Sequence, residues 1–123
     1  DGGISDSIPI KKFQEMGYEK NVVVLTQPEN YVKKPQSMMK AIRVKYHKYP
    51  NMVRDLELRH EKYNDTIAYI KEEVAKNNVF VIQPEAKLDI GRIEHDRKRI
   101  RAVYEEGRKT AMKRLEKLKM FLR

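Results

Sequence analysis

The hydrophobic pattern divides the chain into alternating strand-like and helical segments. Two short runs rich in branched apolar residues, Asn21–Thr26 and Val79–Gln83, have the length and composition of strands buried on both faces. Between them, apolar positions recur in steps of three and four, which predicts a long amphipathic helix from Asn51 to about Asn77. Its apolar stripe is formed by Val53, Leu56, His60, Tyr63, Ile67, Ile70 and Val74.

Turn and capping residues organise the segment before the first strand. Residues 1–7 contain two glycines and predict a turn. Asp6 and Ser7 are N-cap residue types, and a short helix is predicted to follow them and to run through Met16. Gly17 follows that helix and is predicted to end it in the left-handed conformation that glycine tolerates best.

Two more helices are predicted, over residues 36–49 and from about Glu94 to Phe121. Pro50 is expected to end the first of them. Gly107 lowers the helix propensity of the second, which indicates a close contact or a bend there. The predicted inner faces are Met38, Ile42 and Tyr46 in the first helix, and Ile100, Val103, Tyr104, Ala111, Leu115, Leu118 and Leu122 in the second.

This order of elements predicts an α/β fold. Two buried strands separated by helices imply a parallel pair joined by a right-handed crossover. A parallel sheet of two strands is not expected to be stable alone, because parallel sheets are buried on both faces. We therefore expect further strands from upstream polypeptide or from a second copy of the chain.

Positive charge is concentrated near the end of the chain. The net charge is +9, and residues 92–123 contain twelve basic and five acidic side chains. Such a segment is either a solvated helix face or a surface for anionic lipid, nucleic acid or an acidic partner. The interleaved glutamates and the scarcity of aromatic residues for base stacking disfavour nucleic acid. The expected interpretation is a solvated helix face, and the alternative is a basic helical binding module for an anionic membrane or, less in keeping with the composition, nucleic acid.

Cysteine usage and hydropathy limit the class of protein. The chain has no cysteine, which excludes disulfides and thiolate metal sites and favours a cytoplasmic setting. No apolar run approaches the roughly 20 residues needed to span a bilayer. We expect a cytoplasmic protein that is at most peripheral at the membrane.

The chain opens with Asp1-Gly2-Gly3, followed by Ile-Ser-Asp-Ser-Ile-Pro, a helix and a strand over residues 22–25. Farther on, Ile-Gln-Pro at residues 82–84 leads into Gly-Arg-Ile-Glu-His-Asp at residues 91–96. This arrangement resembles the second signature of bacterial patatin-like phospholipases and the segments that follow it. In that family an Asp-Gly-Gly or Asp-Gly-Ala follows a central strand, and its aspartate partners a serine in a Gly-x-Ser-x-Gly elbow.

The resemblance implies the C-terminal part of a three-layer α/β/α fold that hydrolyses acyl esters of lipids with a Ser–Asp dyad. It assigns Asp1 as the catalytic base and Gly2 and Gly3 as turn formers. No Gly-x-Ser-x-Gly occurs in the 123 residues, so the nucleophile and oxyanion hole are expected upstream and this chain alone is expected to be inactive. The implied division is residues 1–83 for the end of the hydrolase domain and residues 84–123 for a basic helical extension packed on it.

Other polar residues have simpler interpretations. On its local motif, Asp1 is also compatible with a turn or capping aspartate. Ser5 and Ser7 lack the context of a nucleophile elbow. The three histidines, at positions 47, 60 and 95, have no second histidine at metal-ligand spacing, so neither a metal nor another cofactor is assigned.

Overall fold

A computed structural model describes residues 2–91 and 93–123 of the chain. It confirms a mixed α/β class with a small parallel sheet. The described residues separate into two compact units, residues 2–17 with 32–73 and residues 18–31 with 74–123. The elements in chain order are α1 (Gly2–Ser5), α2 (Ile10–Glu15), β1 (Asn21–Val24), α3 (Met39–Lys45), α4 (Pro50–Ala75), β2 (Val79–Ile82) and α5 (Arg97–Leu122).

The first unit is built around the apolar stripe of α4. Val53 and Ile70 of that stripe are buried, as is Ile10 of α2, which is the expected placement for the apolar side of an amphipathic helix. Val74, the last predicted member, is exposed. The amide side chain of Asn64 both accepts from the N–H of Lys33 and donates to its carbonyl, at 2.9 and 3.0 Å, which ties the preceding loop to α4.

The region before α4 differs from its prediction. Pro50 begins α4 rather than ending the helix before it, since proline is well suited to the first helical turn and disfavours helical backbone at the preceding residue. Helix α3 is correspondingly short. Met38 lies outside it in a left-handed conformation, with φ of 58°, and is exposed, so its predicted place beside Ile42 and Tyr46 is wrong.

The second unit contains the sheet. Strands β1 and β2 are parallel, as predicted, with Val22 opposite Phe80 and Val24 opposite Ile82. The prediction that β1 is buried on both faces is wrong, because Val22 and Val24 are 40% and 70% exposed. Helix α5 packs on β2 and not on β1, which leaves these two valines uncovered.

Packing of Phe121 on Phe80 sets the rotation of α5. Their ring centroids are 5.7 Å apart, and the Lys20 ammonium donates to the Phe121 carbonyl at 2.7 Å, satisfying a carbonyl at the C-terminus of the helix. Thr110 and Phe121 are the buried residues of α5. The predicted inner face is therefore partly wrong, since Ile100, Tyr104 and Leu122 are exposed.

The predicted stop at Gly17 is confirmed. Gly17 follows α2 with φ of 92°, and its N–H donates to the Gln14 carbonyl at 2.9 Å. Gly107 has a different environment. It lies inside the continuous α5, and a Cβ atom placed there would meet nothing within 4 Å, so the close contact predicted for this glycine is wrong.

We expect Gly107→Ala to raise the free energy of unfolding by about 0.5–1 kcal/mol, because alanine has the higher helix propensity and the added methyl group meets no neighbour. Gly17→Ala is the matched control and should lower it by about 1–2 kcal/mol, since its backbone is left-handed. Urea denaturation followed by circular dichroism measures both changes. A destabilised Gly107→Ala variant would contradict the packing described for α5.

Candidate functional site

The predicted catalytic residue, Asp1, lies outside the described residues. The segment that follows it is described from Gly2 onward. Instead of the predicted turn, Gly2–Ser5 forms one helical turn, closed by a hydrogen bond from the Asp6 N–H to the Gly2 carbonyl at 2.9 Å. A Cβ atom at Gly2 would meet nothing within 4 Å. The motif roles of Asp1, Gly2 and Gly3 therefore stay predictions.

The Gly3 carbonyl joins this segment to α4. It accepts a hydrogen bond from Arg59 Nε at 2.6 Å and another from the Ser7 hydroxyl at 2.9 Å. Arg59 lies three residues after Leu56 and four before Tyr63, so it projects from the same side of α4 as the apolar stripe. A charged donor in this part-buried position holds the backbone two residues after Asp1.

A groove of about 320 Å³ opens beside the anchored segment. It lies wholly within the first unit, between the chain around α1 and the middle of α4. Its walls combine apolar side chains, hydroxyl groups and charges of both signs. The lining residues are Ile4, Ser5, Asp6, Ser7, Ile8, Lys11, Arg59, Lys62, Tyr63, Asp65 and Thr66.

The cations of the groove differ in how they are held. Lys62 pairs with Asp55 at 2.7 Å, and the Lys11 ammonium lies 4.8 Å from the centroid of the Tyr69 ring. Arg59 uses Nε for Gly3, and its terminal nitrogens have no hydrogen bond to other described residues. A guanidinium fixed at one edge and open at the other is suited to bind an anionic group.

The carboxylates of the groove are Asp6 and Asp65. Asp6 accepts from the Ile8 N–H at 3.3 Å, which forms a local turn. It does not cap α2, whose N-cap residue is Pro9, so the predicted capping role is wrong. Neither carboxylate forms an ion pair within residues 2–91 and 93–123, and the groove therefore presents open charges of both signs.

The serines and histidines do not form a nucleophile and base. The Ser7 hydroxyl donates to the Gly3 carbonyl, and no histidine lines the groove. His60 and His47 contact the carbonyls of Glu57 and Val44, each at 3.0 Å, within their own helical turns. Among the described residues, no three histidine or acidic side chains are grouped to hold a metal ion.

Sequence reasoning did not single out Glu73, a buried carboxylate near the end of α4. Its side chain accepts from the Gln14 amide at 2.9 Å, and the Tyr69 hydroxyl donates to the same amide at 2.6 Å. Glu73 is 5% exposed. The signal in the sequence is its position three residues after the buried Ile70, which puts a charged residue beside the apolar stripe. The same signal would have revealed Arg59.

The segment before α5 contains a second organised cluster. The Glu94 carboxylate accepts from the backbone N–H groups of Asp96 and His95, at 3.0 and 2.9 Å, and lies 3.4 Å from the Arg99 guanidinium. The Asp96 N–H, then that of His95 and the charge of Arg99, hold the pKa of Glu94 below its ordinary value. Asp96 caps α5 by accepting from the Lys98 N–H at 2.8 Å.

Residues 49–123 match a family model described as a domain of unknown function, DUF6363. The match covers more than half of the chain, and the chain belongs to this family. No curated protein and no solved structure matches it. The matched span contains α4, β2 and α5, whereas β1 and the Asp1-Gly2-Gly3 segment precede it. The Arg59–Gly3 hydrogen bond thus joins the family domain to the segment before it.

We expect Arg59→Met to lower the free energy of unfolding by about 1.5–3 kcal/mol, the usual value of a hydrogen bond to a charged group. Arg54→Met is the control. Arg54 is exposed on the same helix without an ion pair or hydrogen bond to other described side chains, and its replacement should change stability by less than about 0.5 kcal/mol. Urea denaturation of both variants decides the matter, and equal effects would contradict the anchoring role.

The Glu94 carboxylate should make the free energy of unfolding depend on pH in the acid range. Because its folded-state pKa is lowered, its contribution is complete above the ordinary value of 4.5 and is lost as the pH falls through the folded-state value. Glu94→Gln should therefore be less stable than wild type near neutral pH, with a shallower loss of stability on acidification below pH 4.5. Chemical denaturation across this pH range measures the difference.

Glu106→Gln is the matched control for that experiment. Glu106 is exposed on α5 and forms no ion pair within the described part of the chain. Its variant should follow the wild-type acid curve. Parallel curves for Glu94→Gln and wild type would show that the hydrogen bonds of the Glu94 carboxylate do not stabilise the start of α5.

Proposed function

We propose that this chain is the C-terminal section of a serine acyl-ester hydrolase that acts on phospholipid or a similar lipid. Asp1 is the carboxylate of a Ser–Asp dyad in a patatin-like three-layer α/β/α fold. Residues 1–83 complete the hydrolase domain, and residues 84–123 form its basic helical extension. The serine and the oxyanion-hole donors belong to upstream polypeptide, so the 123 residues alone have no esterase activity.

The anchoring of the Gly3 carbonyl is the observation that carries this proposal. A general base has to lie within about 2.6–3.2 Å of the hydroxyl from which it takes a proton. The hydrogen bonds from Arg59 and Ser7 restrain the backbone two residues after Asp1. A restrained peptide at Gly3 supports the proposal, because catalytic groups work best on backbone that is held in place by hydrogen bonds.

The groove beside this segment supports a phospholipid substrate. Its volume of about 320 Å³ falls within the range of small-molecule sites. Lys11 and the open edge of Arg59 suit a phosphodiester, while Asp6 and Asp65 suit the ammonium of a zwitterionic headgroup. On this proposal the headgroup occupies the groove.

The uncovered face of β1 supports a larger sheet. Val22 and Val24 are exposed on a strand whose parallel pairing is normally found inside sheets covered on both sides. On this proposal, upstream polypeptide or a second copy both extends the sheet and supplies the layer that covers this face. On this proposal the intact protein is cytoplasmic and peripheral at the membrane.

The chemistry assigned to Asp1 is proton transfer. Its carboxylate accepts the serine hydroxyl proton as the serine oxygen attacks the acyl carbonyl carbon, and backbone N–H groups stabilise the negative oxygen of the tetrahedral intermediate. The proton then passes to the departing alcohol, leaving an acyl-serine. In a second step water attacks the acyl-serine while the same carboxylate takes a proton from it, and that proton then passes to the serine oxygen as the fatty acid is released.

The test is p-nitrophenyl butyrate hydrolysis by the full polypeptide that contains this chain. Asp1→Asn should lower kcat by on the order of 10²–10⁴, because the amide cannot accept the proton. Asp6→Asn, the same change at a carboxylate assigned to headgroup binding, should leave hydrolysis of this headgroup-free ester unaltered. Circular dichroism checks that both variants are folded. Unchanged turnover in Asp1→Asn would reject the proposal.

A further inference from the structure

One side of α5 combines exposed apolar residues with basic residues and excludes acidic ones. At about 100° per residue, this side spans roughly 120° of the helix circumference. Its exposed apolar members are Ile100, Tyr104, Met112 and Leu122, each between 45% and 60% exposed. Its basic members are Arg97, Arg101, Arg108 and Lys119. We call these eight residues the basic–apolar face.

The glutamates of α5 lie outside this face. Glu105 and Glu116 lie along one border, where they pair with Arg101 at 2.9 Å and with Lys119 at 2.7 Å, and Glu106 lies on the far side of the helix. Arg97 and Arg108 are exposed and form no ion pair within residues 2–91 and 93–123. The face therefore keeps an uncompensated positive charge.

The rotation of α5 produces this face. Phe121 and Thr110 point toward the protein, so part of the helix's apolar stripe is directed to solvent. A solvent-facing helix surface is normally polar, because an apolar side chain lowers the free energy of the protein only when it is removed from water. Ile100, Tyr104 and Leu122 fall on adjoining lines along the helix rather than at scattered positions. Such an arrangement is suited to contact an apolar environment bordered by negative charge.

We propose that the basic–apolar face binds an anionic lipid bilayer. Apolar residues of an interfacial helix enter the boundary between headgroups and acyl chains, while arginine and lysine contact anionic headgroups. No helix of the described residues is long and apolar enough to cross a bilayer. The proposed contact does not depend on Asp1 or on hydrolysis, and it goes beyond the proposed catalytic function.

Nucleic acid fits the same face less well. Single-stranded nucleic acid is usually held by several aromatic residues that stack on bases, and Tyr104 is the one aromatic residue of the face. The remaining apolar members are aliphatic or methionine side chains, which have no favourable partner along a phosphate backbone. Charge complementarity together with apolar exposure therefore selects a lipid surface.

Sedimentation with vesicles tests the proposal in the full polypeptide. Binding to phosphatidylcholine vesicles that contain phosphatidylserine should exceed binding to pure phosphatidylcholine vesicles and should weaken as salt rises. Each basic residue near such a surface contributes about fivefold in affinity. The double variant Arg97→Gln/Arg108→Gln should therefore bind about 25-fold more weakly.

The control variant makes the same change in net charge at positions outside the face. Lys98→Gln/Lys109→Gln removes the same two charges from exposed positions of α5 outside the face, and we expect at most a few-fold loss. Ile100→Ser/Met112→Ser should also weaken binding while leaving the charge unchanged. Circular dichroism confirms that every variant is folded.

Three results would overturn the proposal. Equal losses in the two charge-matched pairs would mean that net charge alone attracts the protein. No binding to phosphatidylserine vesicles would exclude the contact itself. Binding to single-stranded DNA that is lost in Arg97→Gln/Arg108→Gln, without vesicle binding, would assign the face to nucleic acid instead.

Discussion

Packing of Phe121 against Phe80 is the contact on which the second unit depends. It places α5 over β2, and the Lys20 ammonium secures the same end of the helix through the Phe121 carbonyl. Because one helix covers one strand, the neighbouring strand keeps Val22 and Val24 exposed. The same contact turns the apolar stripe of α5 partly toward solvent. The exposed face of β1 and the exposed apolar residues of α5 therefore have one physical origin.

In the first unit, a single cationic side chain has a comparable role. Arg59 projects from the family domain and holds the backbone at Gly3, the last residue of the Asp1-Gly2-Gly3 motif. Gly3 lies before the span that matches the family model, in the segment to which the resemblance assigns catalysis. Arg59 lies within that span, so the hydrogen bond connects the two. The proposed hydrolase requires this link, because a carboxylate on an unrestrained segment would rarely meet a serine in the right geometry.

The two proposals concern different physical events. Hydrolysis requires Asp1 and an upstream serine, whereas lipid binding requires the exposed apolar and basic side chains of α5. Either can fail without the other. If both hold, the basic helix raises the concentration of the enzyme at the surface where its substrate is found.

The sequence by itself determined the class of fold, the long helix α4, both strands and their parallel pairing, and the stop at Gly17, because periodicity, chain reversal and backbone preference are local properties. Tertiary structure alone decided which side of α5 is buried and that Arg59 meets Gly3. These outcomes depend on competition among residues far apart in the chain. The apolar stripe of α5 was visible in the sequence, but the predicted inner face did not include Phe121, whose packing on Phe80 depends on where β2 lies.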